Sequence, residues 1–405
     1  MDLSLRPVTE AELSAFLETE HTAFGERMTP EHVEAYCDLI EPDRTLAAFD
    51  SDQIVGTAAA YTFELTVPGP VQLPAAGVTA VGVLPTHRRK GVLTRLMARQ
   101  LDDVHERGEP LAVLTASESG IYGRFGYGPA AFLAMVEIDR VHTRLAHPPT
   151  IPGRLLMVDP ETAGKLLPAC HDAHRRRRVG AVGRPAAWWK MVLRDPEFLR
   201  SGSDKRFITV HERAPGEADG YITYRVERRW DQATVLQVEE LCAEDDEVRA
   251  SLWQYAFGVD LVARIKAVCP VDEPIAWRLA DPRRLDTVRV SDGLWVRVLD
   301  VPAALTGRRY AGTGRLVLEL HDAFRPRCAG TYELRVGEDG TDCRPVNAEP
   351  DLVLGASELG AVYLGGVRFS TLARAGRVAE RTPGALRRAD RLFAVDVAPW
   401  CDTDF

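Results

Sequence analysis

The chain has 405 residues, 45% of them apolar, and a formal charge of −9; that length exceeds what one hydrophobic core usually serves and predicts two or three domains. The negative balance argues against a nucleic-acid partner, and no apolar run reaches the length of a membrane span. Seven cysteines without C-x-x-C spacing give neither a disulfide framework nor a zinc site, and the opening MDLSLRPVTEAEL lacks the basic and apolar regions of a secretory signal, so a cytoplasmic location is expected.

The first predicted elements are a helix over TEAELSAFLETEH and a second over TPEHVEAYCDLI, opened by Thr29 and Pro30. Strands follow at TLAAFD and QIVGTAAAYTFELTV, then at Val78, Val81 and Val83, where Pro85 stops the ladder. From Val92 to Val104 apolar residues recur at helical spacing. The turn between this strand and helix carries Arg88, Arg89, Lys90 and Gly91. Cations are disfavoured at a helix N-terminus unless an anion lies between them and the unpaired amides, so the turn predicts a phosphate or pyrophosphate site, with His87 as a further cationic donor. Neither G-x-x-x-x-G-K-[ST] nor G-x-G-x-x-G occurs at this turn.

The prolines of HPPTIPG predict a boundary at residues 147–153. The middle section repeats the order of events: a helix over ETAGKLLPACHDA, then strands at RFITVHE and ADGYITYRVERRW, then a strand-to-helix passage over ATVLQVEELCAEDDEVRASLWQYAF. Its turn carries Glu239, Glu240, Glu244, Asp245 and Asp246, which satisfy a helix N-terminus by themselves and would repel a pyrophosphate. HRRRR, residues 174–178, reads as a charged helix end or subunit contact. The last section reads as strands at LWVRVLDV, RLVLELHD and GTYELRVGEDGTDCRPV, with a hairpin signal at Asp339-Gly340, followed by helices at SELGAVYLG and TLARAGRVAE.

The R-x-x-G pattern after a V-x-V-x-P strand resembles motif A of the GCN5-related N-acetyltransferases (GNAT), departing from it at Leu93, where a small residue is usual. Together with TASESGIYGRFGYGPA, residues 115–130, it resembles more specifically the enhanced intracellular survival (Eis) acetyltransferase family, a resemblance that runs to the end of the chain. The resemblance implies an α/β (α+β) architecture with a catalytic GNAT domain over 1–147, a degenerate GNAT-like domain without a cofactor site over 154–281 and a sterol-carrier-like domain over 282–405. It also implies a homo-hexamer, acetyl-CoA as co-substrate without a metal, and primary amines of aminoglycosides, or of lysine-bearing proteins, as acceptors. A function of another class, a non-catalytic acyl-CoA or apolar-ligand carrier or regulator, is the alternative.

Acetyl transfer to an amine needs a polarised thioester, a deprotonated nucleophile and a proton for the departing thiolate. The backbone of Val81, Gly82 and Val83 leads into the basic turn and is the candidate for polarisation. By resemblance Arg89, Lys90, Gly91, Val92, Leu93 and Thr94 hold the phosphates beside Arg88, and Ser117 and Glu118 lie against the cofactor. Two phenols, Tyr122 and Tyr127, could each supply the proton; the resemblance selects Tyr122 and leaves Tyr127 to packing. Phe24, Glu26, Met28 and Tyr36 offer an aromatic and acidic surface to a polyamine, Glu64 is a weak candidate base, and Asp402 and Asp404 add negative charge near the end of the sequence. In the family the C-terminal carboxylate serves as the base, which implies that role for Phe405.

Overall fold

The computed structural model describes residues 3–200, 203–228 and 233–405. They form two compact units: Met1–Ala131 with Val179–Val182 and Asp292–Phe405, and Phe132–Arg178 with Gly183–Ser291. No helix among the described residues is long and apolar enough to cross a membrane.

The larger sheet of the first unit contains β1 (Ser4–Arg6), β2 (Thr45–Asp50), β3 (Gln53–Val67), β4 (Val71–Val83), β5 (Leu111–Thr115) and β6 (Gly128–Pro129). Its helices are α1 (Leu13–Phe24), α2 (Pro30–Cys37), α3 (Val92–Glu106) and the single turn α4 (Ser119–Tyr122). The helical spacing of α3 buries Val92, Leu96, Met97, Leu101 and Val104 on one face, and Gln100 on that face donates to the Ala59 carbonyl at 2.8 Å. Thr29 caps α2 through its hydroxyl and Pro30 occupies the first helical position, as the sequence predicts.

The second unit holds a sheet of β7 (Phe132–Asp139), β8 (Arg154–Met157), β9 (Phe207–Ala214), β10 (Glu217–Glu227), β11 (Val235–Ala243), β12 (Arg264–Pro270) and β13 (Asp286–Asp292), in the order β13-β7-β12-β11-β10-β9-β8. Its helices are α5 (Pro160–Arg175), α6 (Ala186–Arg194), α7 (Asp246–Gly258) and the short α8 (Ile275–Arg278). The sequence reading carries β10 on to Trp230; residues 229–230 lie outside the described residues. The HRRRR segment closes α5 and is neutralised locally, with Arg175 and Arg176 on Asp172, Arg177 on Glu244 and Arg178 on Asp272.

The next strand, β14 (Leu294–Val298), returns to the first sheet, whose order is β1-β2-β3-β4-β5-β14-β6. It runs antiparallel to both β5 and β6 and buries all five of its residues. The expected domain bounds put LWVRVLDV in the section over 282–405 and residues 132–139 in the section over 1–147, whereas the structure pairs β14 with β5, and β7 with β12. A short apolar run does not encode its partner strand.

The remainder of the first unit is a five-stranded sheet of β15 (Gly314–His321), β16 (Gly330–Gly337), β17 (Gly340–Pro345), β18 (Leu352–Gly355) and β19 (Val378–Glu380), ordered β17-β16-β15-β18-β19. Its helices are α9 (Val301–Thr306), α10 (Ala356–Tyr363), α11 (Phe369–Arg374) and α12 (Ala385–Leu392). The segment TLARAGRVAE, read as one helix, divides: Gly376 at φ +74° ends the helical part, and Val378–Glu380 pair with Leu352–Leu354 as a strand. All seven cysteines are free.

Candidate active site

The candidate site begins with a fault in β4. Thr57 faces Gly82 and Ala59 faces Thr79, so β4 carries one more residue than β3 across this interval. Ala80, at φ +51°, takes the bulge in a conformation that side chains disfavour. Beyond the bulge β4 leaves its parallel neighbour: the two strands pair only through Ala75↔Leu111, Ala76↔Ala112 and Gly77↔Val113. The backbone of Val81, Gly82 and Val83 therefore borders an opening between β4 and β5.

At the end of β4 the basic turn leads into α3. Gly91, the N-cap, is left-handed at φ +80° and supplies no side-chain cap. The first backbone bond of the helix is Arg95 N–H to the Gly91 carbonyl at 3.1 Å, so the amides of Val92, Leu93 and Thr94 lack intrahelical partners. Arg89 is also left-handed, at φ +61°, which with Gly91 makes a concave array of N–H groups suited to an anion. This cradle fits a pyrophosphate.

The cations of the turn do not all face that cradle. Arg88 donates to the Ala23 carbonyl at 2.6 Å and to the Val83 carbonyl at 3.2 Å, tying the turn to the end of α1. The Lys90 ammonium donates to the Thr86 carbonyl at 2.8 Å, and His87 lies 3.2 Å from Asp50. Arg89 is exposed and makes no ion pair among the described residues. Val92 and Leu93 turn their side chains to the core, which leaves their backbone for any ligand.

The last residue reaches the same opening. Thr115, where β5 ends, donates from its hydroxyl to the Phe405 carboxyl oxygen at 2.7 Å. The Phe405 ring meets Phe63 edge-on, with centroids 4.9 Å apart. Gly77 makes room for both rings: a Cβ there would come within 2.4 Å of Phe63 and 3.4 Å of Phe405. Sequence reasoning assigned no role to Thr115, Phe63 or Gly77; Thr115 stands first in a segment singled out for other reasons.

Tyr122 is 5% exposed and Tyr127 wholly buried, with ring centroids 6.1 Å apart. Burial raises the Tyr122 phenol above its ordinary range, a hydrogen bond from Ser117 opposes the shift, and Glu118 reinforces it. The Tyr127 phenol is pushed up chiefly by burial, with Arg297 opposing the shift and Tyr122 adding to it, and its hydroxyl lacks any hydrogen-bond partner among the described residues. The glycines around these tyrosines admit the C-terminal part of the unit. A Cβ on Gly126 would strike the Arg297 guanidinium at 2.3 Å, and one on Gly128 the Ser357 carbonyl at 1.9 Å, while the Ser357 hydroxyl donates to the Tyr127 carbonyl at 2.8 Å.

Acidic groups gather between α1 and α2. The Tyr36 phenol is raised by burial first and then by the carboxylates of Glu20, Glu26 and Asp404. His21 pairs with Glu20 at 2.5 Å and meets the Tyr36 ring edge-on at 5.7 Å. Phe24 is half exposed at the end of α1. Glu64 lies on the solvent side of β3. Glu20 and His21 were legible as helix residues but not as part of this group, because only the folded α1 brings them opposite Tyr36.

Two acetyltransferase (GNAT) domain models match residues 4–130 and 180–298, and a sterol carrier protein domain model matches residues 301–402. An uncharacterized N-acetyltransferase of Streptomyces coelicolor is 42% identical over 397 residues, 95% of each chain. The N-acetyltransferase Eis of Mycobacterium tuberculosis is 34% identical over 409 residues, 98% of each chain. The crystal structure of Eis1 from Mycobacterium abscessus superposes with a TM-score of 0.88 at 33% identity, covering 99% of this chain and 100% of that one. With two GNAT domains ahead of a sterol-carrier-like domain and these relatives along its full length, the chain belongs to the Eis family of GCN5-related N-acetyltransferases.

Proposed function

We propose that this N-acetyltransferase moves the acetyl group of acetyl-CoA to primary amines of polycationic acceptors, aminoglycosides or lysine side chains, in the first unit. The amides of Arg89–Thr94, with the Arg89 guanidinium, hold the pyrophosphate, and Ser117 and Glu118 flank the cofactor. Backbone N–H groups along Val81–Val83 polarise the thioester carbonyl. The acceptor ammonium sits among Glu26, Tyr36, Phe24 and Asp404 and gives up a proton to the Phe405 carboxylate. The amine nitrogen then forms its bond to the acetyl carbon, the carbon–sulfur bond breaks, Tyr122 donates its phenolic proton to the departing thiolate, and the second proton released by the new amide nitrogen restores the phenol. A carboxylate with an ordinary value of about 3.5 is a weak base at neutral pH. Its grip on the ammonium through charge and position therefore contributes as much as proton removal.

The observation that carries this reading is the Thr115–Phe405 hydrogen bond of 2.7 Å, since it brings a carboxylate to the opening between β4 and β5. The raised Tyr122 phenol supports the acid role, because a group that stays protonated at neutral pH has a proton to give. On the family's pattern we also take the assembly to be a homo-hexamer. Mass spectrometry of aminoglycosides and lysine peptides incubated with acetyl-CoA reports acceptor and number of sites together. Extending the chain by a few residues beyond Phe405 is expected to collapse turnover while CoA affinity persists; full turnover in the extended protein would remove the terminal carboxylate from the mechanism.

A further inference from the structure

The region around α11 and α12 inverts the charge of the rest of the chain. Residues 367–391 contain seven arginines against Glu380 and Asp390, in a protein whose net charge is −9. Two of these arginines serve the fold: Arg377 pairs with Glu358, and Arg388 with Asp351 at 3.2 Å. Arg368, Arg387 and Arg391 make no ion pair among the described residues, although surface arginines elsewhere, such as Arg6 with Glu12 and Arg99 with Asp103, find carboxylates close at hand. These three rim one cavity of about 400 Å³, floored by Phe369 and Phe393.

The acid within the cavity is already committed in part, as an Asp390 oxygen accepts the Ser370 N–H at 3.2 Å. Behind the floor stands a further cation. Arg308 is 1% exposed, its guanidinium carbon lies 4.5 Å from the centre of the Phe393 ring, and it donates to the Phe393 carbonyl at 3.5 Å and to the Tyr363 carbonyl. No carboxylate among the described residues pairs with it. A buried charge without a counter-ion projects its field through low-dielectric surroundings, here toward the cavity. Guanidinium groups converging on a concave surface match the oxygens of a phosphoryl group, which each can grip with two N–H bonds.

We propose that this cavity binds a multiply charged phosphoryl anion, held by Arg368, Arg387 and Arg391. The site is separate from the acetyl-CoA cradle and lies in the sterol-carrier-like part of the chain. Its ligand is either a free phosphate ester or a phospholipid headgroup, which share this chemistry.

Calorimetric titration with inorganic tripolyphosphate, at saturating CoA so that the α3 cradle is occupied, tests the proposal. The expected result is saturable binding whose dissociation constant rises at least 10-fold in R387E/R391E, with CoA affinity, turnover and melting temperature unchanged. R387K/R391K, which keeps the charge, should recover most of the affinity. Co-sedimentation with phosphatidylglycerol vesicles, against phosphatidylcholine controls, identifies the source: charge-dependent capture that R387E/R391E abolishes, without tripolyphosphate binding, assigns the headgroup. Failure of both probes to bind, or equal binding by R387E/R391E and the unaltered chain, overturns the proposal.

Discussion

The α3 and α7 turns are built on one plan and differ in what closes them. β11 has the same fault as β4: Thr223 faces Glu240 and Tyr224 faces Val238, so one extra residue stands at Glu239, just beyond the parallel pairing of Val235–Val238 with Arg264–Ala267. In the first unit the space past the bulge leads to a turn whose amides lack intrahelical partners. In the second, Glu239 is gripped by Arg225 at 2.6 Å and by Arg206, and Glu240 accepts the Tyr221 hydroxyl at 2.7 Å. Asp245 then caps α7 itself, accepting the amides of Glu247 at 3.0 Å and Val248 at 2.9 Å. The bulged strand and following helix are thus common property of both units. The first turn could receive an anion because its helix N-terminus is uncapped and its Arg89 makes no ion pair among the described residues, whereas the second is closed by its own carboxylate.

The largest effect that would sharpen this contrast is on chemistry. Tyr122→Phe keeps the ring and removes the acidic hydrogen, so turnover is expected to fall about 100-fold or more in steady-state assays. A comparable loss from Tyr127→Phe instead would reverse the assignment of the two tyrosines. Next in size, Arg89→Glu should weaken CoA by roughly 10- to 100-fold, since a charge-assisted contact contributes about 1.5 to 3 kcal/mol and reversal adds repulsion. Calorimetry on the unaltered chain should return one CoA per chain. Two equivalents would break the comparison outright.

A smaller effect is expected from uncapping the second turn. Asp245→Ala should cost about 1 kcal/mol in denaturant unfolding and leave CoA affinity unchanged. The smallest concerns acid. Burial works to raise the Asp245 carboxyl, but the Val248 amide and Arg213 outweigh it and hold it below the ordinary carboxylate range. The stability it contributes is therefore present above about pH 4 and is lost as pH falls through the lowered value. In Asp245→Asn, which retains an acceptor oxygen but no titrating charge, that part of the acid limb should flatten.

Local signals made much of this legible. The alternation and β-branching of QIVGTAAAYTFELTV give β3 its observed bounds, and the spacing from Val92 onward gives α3 its buried face. The basic and acidic turns were readable because a helix terminus has a sign, and side-chain charge either complements or opposes it. What could not be read was direction. Arg88 has the same charge as Arg89, yet it is spent on the Ala23 carbonyl, a contact between residues far apart in sequence. Tyr122 and Tyr127 are one chemical type, and only packing makes one of them nine-tenths enclosed beside Ser117 and the other sealed against Arg297.

The placement of β14 has a consequence for how the protein is made. β5 and β6 leave the ribosome early, but the strand that fills the gap between them is not translated until residues 294–298. At 5 to 20 residues per second the wait is about 10 to 40 s, during which β5 offers an unpaired edge that is apolar from Leu111 to Leu114. Contacts this distant in sequence also slow folding once the chain is complete. A chain released at Ala131 would keep that edge for good and should aggregate, whereas one carrying residues 292–298 grafted behind a short linker has the means to close it.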